Sequence, residues 1–126
     1  MDNAEVLVAA RALSNEDSGK TFFLSLAGGF NVSLPAPELG LEFEFIVKTA
    51  PTSAYTVTAT GNIVKGHVLT TDVNSATDPD FDTTAVDVLT FVANKAVAGD
   101  RAKFSCDGTN WYMRAECSVF DAITLA

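Results

Sequence analysis

Ser18-Gly19-Lys20-Thr21 is the first stretch whose residue types could do chemistry. A phosphate-binding loop ends in this way, its backbone N–H groups cradling phosphates at the start of a helix. The full motif needs a glycine at position 14, and Ser14 stands there. Glu16 and Asp17 would push negative charge into the cradle, and the following Thr21-Phe22-Phe23-Leu24 reads as a strand. The stretch is therefore expected to be a turn over Asn15–Ser18, with Gly19 taking a φ that other residues avoid and Lys20 a solvated surface charge. Phe22 and Leu24, or Phe23 on the opposite face, then enter the core.

Asp78, Asp80 and Asp82 alternate as calcium ligands do, with Asp72 and Asn74 nearby. An EF-hand loop would require glycine at position 83 and glutamate at position 89, where Thr83 and Leu89 stand. A solvated acidic loop is the better reading, and no metal or cofactor is expected. His67 is the only histidine, so neither a three-ligand zinc site nor a Ser-His-Asp or Cys-His pairing is indicated. Glu42 and Glu44 project from one side of an alternating run, as a solvated face does, rather than across a cleft. Tyr112 and Trp111 have rings that stack on sugars, but Trp111 lies on the apolar side of its run and belongs to the core.

The elements that must position these groups are strands. Leu41, Phe43, Phe45 and Val47 alternate with Glu42, Glu44 and Lys48; Tyr55, Val57 and Ala59 alternate with threonines. Ala102, Phe104 and Cys106, and then Trp111, Met113, Ala115 and Cys117, form the apolar sides of two more runs. Residues 86–94 are more continuously apolar and suit a strand covered on both faces. At the start, Val6, Val8 and Ala10 fit a strand, while Val6, Ala10 and Leu13 fit a helix stripe. A two-residue hairpin loop at Gly108-Thr109 sets Cys106 opposite Trp111, Phe104 opposite Met113 and Cys117 opposite Asp100. That register separates the cysteines, so both are expected as buried free thiols. Turn signals between short strands predict an all-β, single-domain antiparallel sandwich or barrel, jelly-roll-like. Residues 1–13 form an N-terminal arm or strand, and residues 14–126 one β domain with a long acidic loop at about 70–84.

The bulk numbers agree. A chain of 126 residues, 48% hydrophobic with 9 Phe, supports one core. Its net charge of −8 disfavours direct nucleic-acid binding, which relies on Lys and Arg displacing counterions. The opening residues lack a basic start, and their apolar run is too short for a signal or a membrane span. No membrane partner is expected, and cytosolic synthesis with free thiols is.

Three strings resemble a known family when taken together: residues 13–24 (LSNEDSGKTFFL), 28–51 (GGFNVSLPAPELGLEFEFIVKTAP) and 87–113 (DVLTFVANKAVAGDRAKFSCDGTNWYM). They resemble small β-rich virion proteins of tailed bacteriophages, most of all the head decoration, or cement, proteins. The resemblance implies a non-enzymatic role on the outer capsid surface, in a protein made in the host cytoplasm. It implies a homotrimer that bridges major capsid proteins. It also implies attachment through a terminal arm, for which Asp2, Asn3, Ala4, Glu5, Val6 and Leu7 are the contact residues. The DGTNWY string also resembles parts of tail-fibre and appendage proteins, so a module binding a host-surface carbohydrate is the alternative.

Overall fold

Where apolar and polar side chains alternate, the chain is extended. The structure, a computed structural model, describes residues 3–61, 63–70, 81–119 and 121–126. Twelve strands run through them: β1 (Ala4–Leu7), β2 (Arg11–Ala12), β3 (Thr21–Leu24), β4 (Asn31–Ser33), β5 (Leu39–Val47) and β6 (Tyr55–Thr58). The second half adds β7 (Val64–Thr70), β8 (Phe81–Val86), β9 (Val88–Phe91), β10 (Arg101–Asp107), β11 (Trp111–Cys117) and β12 (Ile123–Leu125). A 3-10 turn over Asn15–Asp17 is the only helical element among the described residues, and none is long and apolar enough to cross a membrane.

The strands make two mixed sheets, ordered β1-β3-β5-β10-β11-β7-β8 and β12-β9-β6-β4-β2. All-β architecture was expected; the amount of parallel pairing was not. The first six strands alternate between the sheets, so β1, β3 and β5 lie parallel in one, and β2, β4 and β6 lie parallel in the other. Parallel neighbours need a crossover of about a dozen residues or more. Here the crossover is a strand of the opposite sheet rather than a helix. Antiparallel pairing joins β5–β10, β10–β11, β7–β8, β6–β9 and β9–β12, while β11 and β7 lie parallel.

One core cluster draws on both sheets. Phe22 stacks on Phe45 at 5.7 Å, Phe45 meets Phe104 edge-on at 5.8 Å, and Phe43 and Phe104 both approach Trp111. Such tilted and edge-on contacts add to the burial of large rings. Buried Tyr55 keeps its polar end satisfied, its hydroxyl donating to the Thr49 carbonyl at 2.8 Å and accepting from Leu26 N–H at 2.9 Å.

Every apolar set read by alternation in β5, β6, β10 and β11 is buried, and the hairpin register is as expected, with Cys106 opposite Trp111 and Phe104 opposite Met113. Both cysteines are free and buried. Three details differ. At the N-terminus it is Leu7 that turns inward, while Val6 and Val8 are exposed, because the register sets Leu7 against buried Leu24. The apolar run over residues 86–94 is not one strand buried on both sides: the chain leaves β8 at Asp87 and enters β9 in the other sheet. The acidic loop expected at 70–84 is bounded by β7, which ends at Thr70, and β8, which takes in 81–84. Asp72, Asn74, Asp78 and Asp80 lie outside the described residues, and Asp82 belongs to β8.

Candidate interaction surface

The Ser18-Gly19-Lys20-Thr21 stretch has no N–H groups left for a phosphate. Gly19 N–H donates to the Glu42 carbonyl at 2.7 Å, Lys20 N–H to the Asp17 carbonyl and Thr21 N–H to the Asn3 carbonyl. Ser18 N–H closes the 3-10 turn on Asn15, and its hydroxyl accepts Glu42 N–H at 3.0 Å. Gly19 sits at φ 87°, as a turn glycine does. Stitched to β5 in this way, the turn is structural.

Lys20 is not a solvated charge. It belongs to a closed ring of four: Arg11 contacts Glu5 and, at 3.0 Å, Asp17; Lys20 contacts Asp17 at 3.3 Å and Glu5 at 3.6 Å. Each cation therefore touches both anions. Register explains the meeting. Glu5 shares the inward side of β1 with Leu7, and Arg11 shares the inward side of β2 with Val32. The two edge strands thus send opposite charges toward each other, and the Arg11 guanidinium lies 5.9 Å from the Phe22 ring centroid. Asp17 is the most enclosed member, its side chain 9% exposed. Burial pushes its pKa up, but the Ser14 backbone N–H at 3.0 Å, Lys20 and Arg11 outweigh it and hold the carboxyl below the usual range. Arg11 is held correspondingly high, chiefly by its hydrogen bond to Glu5.

The expected contact residues divide. Asp2 lies outside the described residues. Asn3 is exposed, and Ala4, Glu5, Val6 and Leu7 form β1, an edge strand of the larger sheet rather than a free arm. Leu7 is core and Glu5 is in the ring, which leaves Ala4 and Val6 (48% exposed), with Val8 (59%) beyond the strand, as the outward apolar groups.

The outer face of the larger sheet carries a pattern that the strand-by-strand reading missed. Across the sheet, Glu44, Lys103, Arg114 and His67 stand in register; beside them run Val6, Phe23, Ile46, Arg101, Glu116 and Leu69. A third row holds Glu42, Ser105, Tyr112 and Lys65. Two open depressions of about 310 Å³ each lie on this face. One is lined by Glu44, Arg101, Lys103, Arg114 and Glu116, the other by Lys103, Ser105, Tyr112, Met113 and Arg114. The signal was present in the sequence: Arg101 and Lys103 share one side of β10, and the hairpin register already set Lys103 against Arg114.

Elsewhere, Asp100 is buried and accepts N–H groups of Val97 (3.0 Å) and Ser118 (3.3 Å); burial outweighs these bonds and pushes its pKa up. The Cys117 thiol is pushed up by burial and by Asp100. Asp107 is held low by the N–H groups of Asn110 and Thr109, which fold back onto its carboxylate in the hairpin loop. Among the described residues no three His, Cys, Asp or Glu side chains are placed to hold a metal ion. No protein-family model, curated protein or solved structure matches this chain.

Proposed function

We propose that the chain is a non-enzymatic structural protein of a phage virion, decorating the outer capsid surface as a homotrimer that bridges major capsid proteins. One observation carries the reading. The three strings that resemble the decoration family supply β3, β5, β10 and the first part of β11, which are neighbours in the larger sheet, together with β4 and β9 of the smaller one. The resemblance thus takes in strands of both sheets, including the run β3-β5-β10-β11 of the larger one. The two sheets are read as the layers of a β-sandwich, and the open, shallow relief of the outer face suits docking of a protein surface. A trimer contacting several capsid subunits gains through effective concentration, and it stabilises the lattice because it binds the assembled form.

The test is heating of expanded capsids with and without the protein, together with co-sedimentation. A raised capsid melting temperature is expected; no shift and no co-sedimentation refute the proposal. Truncating residues 1–7 is a poor probe of the terminal contact, because it removes Leu7 from the core and Glu5 from the ring. Val6→Ser/Val8→Ser leaves both in place and should weaken capsid binding if β1 is the contact.

Exposed Tyr112, beside Arg114 on the DGTNWY hairpin, favours a second reading as a carbohydrate-binding tail module. Antibody labelling of virions separates the two: a periodic signal over the head supports decoration, and a signal at the tail supports the module.

A further inference from the structure

We infer that the outer face of β5, β10, β11 and β7 docks a protein surface that combines carboxylates with apolar side chains. The inference goes beyond the capsid reading: it names the chemistry of the partner surface and holds whatever body carries that surface.

Charge placement comes first. The chain has 8 Lys and Arg against 16 Asp and Glu. Four of the cations, Lys65, Arg101, Lys103 and Arg114, project from three adjacent strands of this one face. Lys103 stands opposite Arg114 across β10 and β11, and like charges placed directly opposite destabilise a sheet. Local carboxylates relieve this only in part: Glu44 stands opposite Lys103 and Glu116 opposite Arg101, with Glu42 in the next row. Lys103 and Arg101 have no ion-pair partner among the described residues, and Arg114 reaches only Glu116, at 3.8 Å on an exposed surface. With four cations against three carboxylates (Glu42, Glu44 and Glu116), this face reverses the balance of the chain as a whole and complements an external anion.

The neighbouring row identifies the kind of anion. Val6, Phe23 and Ile46 line up across β1, β3 and β5 and run directly into Arg101. Val6 is 48% exposed, and Phe23 and Ile46 are half-buried. A phosphate polymer or a sulfated glycan engages cations and stacking rings, such as Phe23 and Tyr112, but has no use for Val6 and Ile46. A protein surface uses both, with an apolar centre and a charged rim in which Tyr and Arg are enriched. Tyr112 and Arg114 fit that composition. The two depressions share Lys103 and Arg114 and are open, so the ligand they suit is broad and not a small molecule held in a cleft.

The experiment is fluorescence polarisation of the full chain with labelled peptides at low and high salt. The probes are a peptide alternating glutamate and isoleucine, one alternating glutamate and threonine, a heparin oligosaccharide and an oligothymidylate. The Glu/Ile peptide should bind best, weaken in high salt, and lose about tenfold or more in affinity to Lys103→Glu/Arg114→Glu. A control, Lys95→Glu/Thr60→Glu/Ala98→Glu, carries the same net charge on exposed positions outside β5, β7, β10 and β11 and should bind as the unaltered chain does. Melting temperatures confirm that the variants fold. The inference is overturned if the two charge variants bind alike, if the Glu/Thr peptide matches the Glu/Ile peptide, if heparin or oligothymidylate binds more tightly, or if no peptide binds. A salt-sensitive dimer that Lys103→Glu/Arg114→Glu disperses would overturn it in favour of a second copy of the chain.

Discussion

Replacing Asp17 by alanine should cost far more stability than replacing Glu5, although both carboxylates touch the same two cations. Asp17→Ala removes contacts to Arg11 Nη2 and Lys20 Nζ and the bond from Ser14 N–H, and it leaves two cations sharing Glu5. Stranding a charge by breaking a buried pair costs about 3–5 kcal/mol, and an exposed pair contributes about 0–1. Asp17 is nearly enclosed, but its partners are 25–32% exposed, which places the ion-pair loss between those limits. With about 1 kcal/mol for the lost backbone bond, the total is about 2–4 kcal/mol. Glu5, at 35% exposure and with no backbone bond to its carboxylate, should cost about 0.5–1 kcal/mol. For a chain of 126 residues, the usual unfolding entropy gives about 4 °C per kcal/mol. Thermal melts by circular dichroism at neutral pH should then fall by about 8–15 °C for Asp17→Ala and about 2–4 °C for Glu5→Ala. Acid supplies a second readout. The folded pKa of Asp17 is depressed, so its contribution is complete above the ordinary aspartate value and is lost as pH falls through the folded value. The gap between the unaltered chain and Asp17→Ala should close in that window. Equal shifts for the two variants, or a gap that persists in acid, would refute the enclosed ring.

Two further outcomes follow from backbone contact and from burial. A Cβ on Gly66 would lie 1.9 Å from the Met113 carbonyl oxygen, in the middle of the neighbouring strand, so Gly66→Ala should lose more than about 3 kcal/mol in urea unfolding. Gly19→Ala meets open space and bears only its positive φ, about 1–2 kcal/mol, so equal costs for the two would contradict the close approach. Carboxyl NMR titration should place Asp100 above, and Asp17 and Asp107 below, an ordinary aspartate. Because the folded pKa of Asp100 is raised, its ionisation removes stability as pH rises from the unfolded value through the folded one, opposite in sign to Asp17. An Asp100 titrating alongside Asp107 would refute its desolvation.

The strand faces were legible because alternation is a local property. Leu41 through Val47 and Trp111 through Cys117 report their own burial without reference to any neighbour. The β10–β11 register was legible because a two-residue turn fixes it. Which strands lie side by side was not: nothing within Thr21–Leu24 says that its neighbours are β1 and β5, both parallel to it. The sheet switch at Asp87 was hidden for the same reason, since two short strands of different sheets read as one apolar run. Leu7 was misplaced because Val6 and Val8 are equally apolar, and only pairing with Leu24 decides which side turns inward. The charge ring needed residues from β1, β2, the 3-10 turn and the position just before β3 to converge, a coincidence of tertiary structure. The basic strip was different: its elements were all readable and needed only to be combined through the hairpin register.

The zigzag of the first six strands leaves an open end. A coil of parallel strands stacked in two sheets presents, at its first turn, two unpaired edges side by side, and such edges can template another molecule. Among the described residues, β1 and β2 are those edges. Each carries a charge on its inward side, and Arg11 and Glu5 meet there with Asp17 and Lys20. A second molecule stacking onto this end would have to seal four charges away from water. The cluster that fastens the first turn to the core therefore also sets four paired charges beside both of these edges.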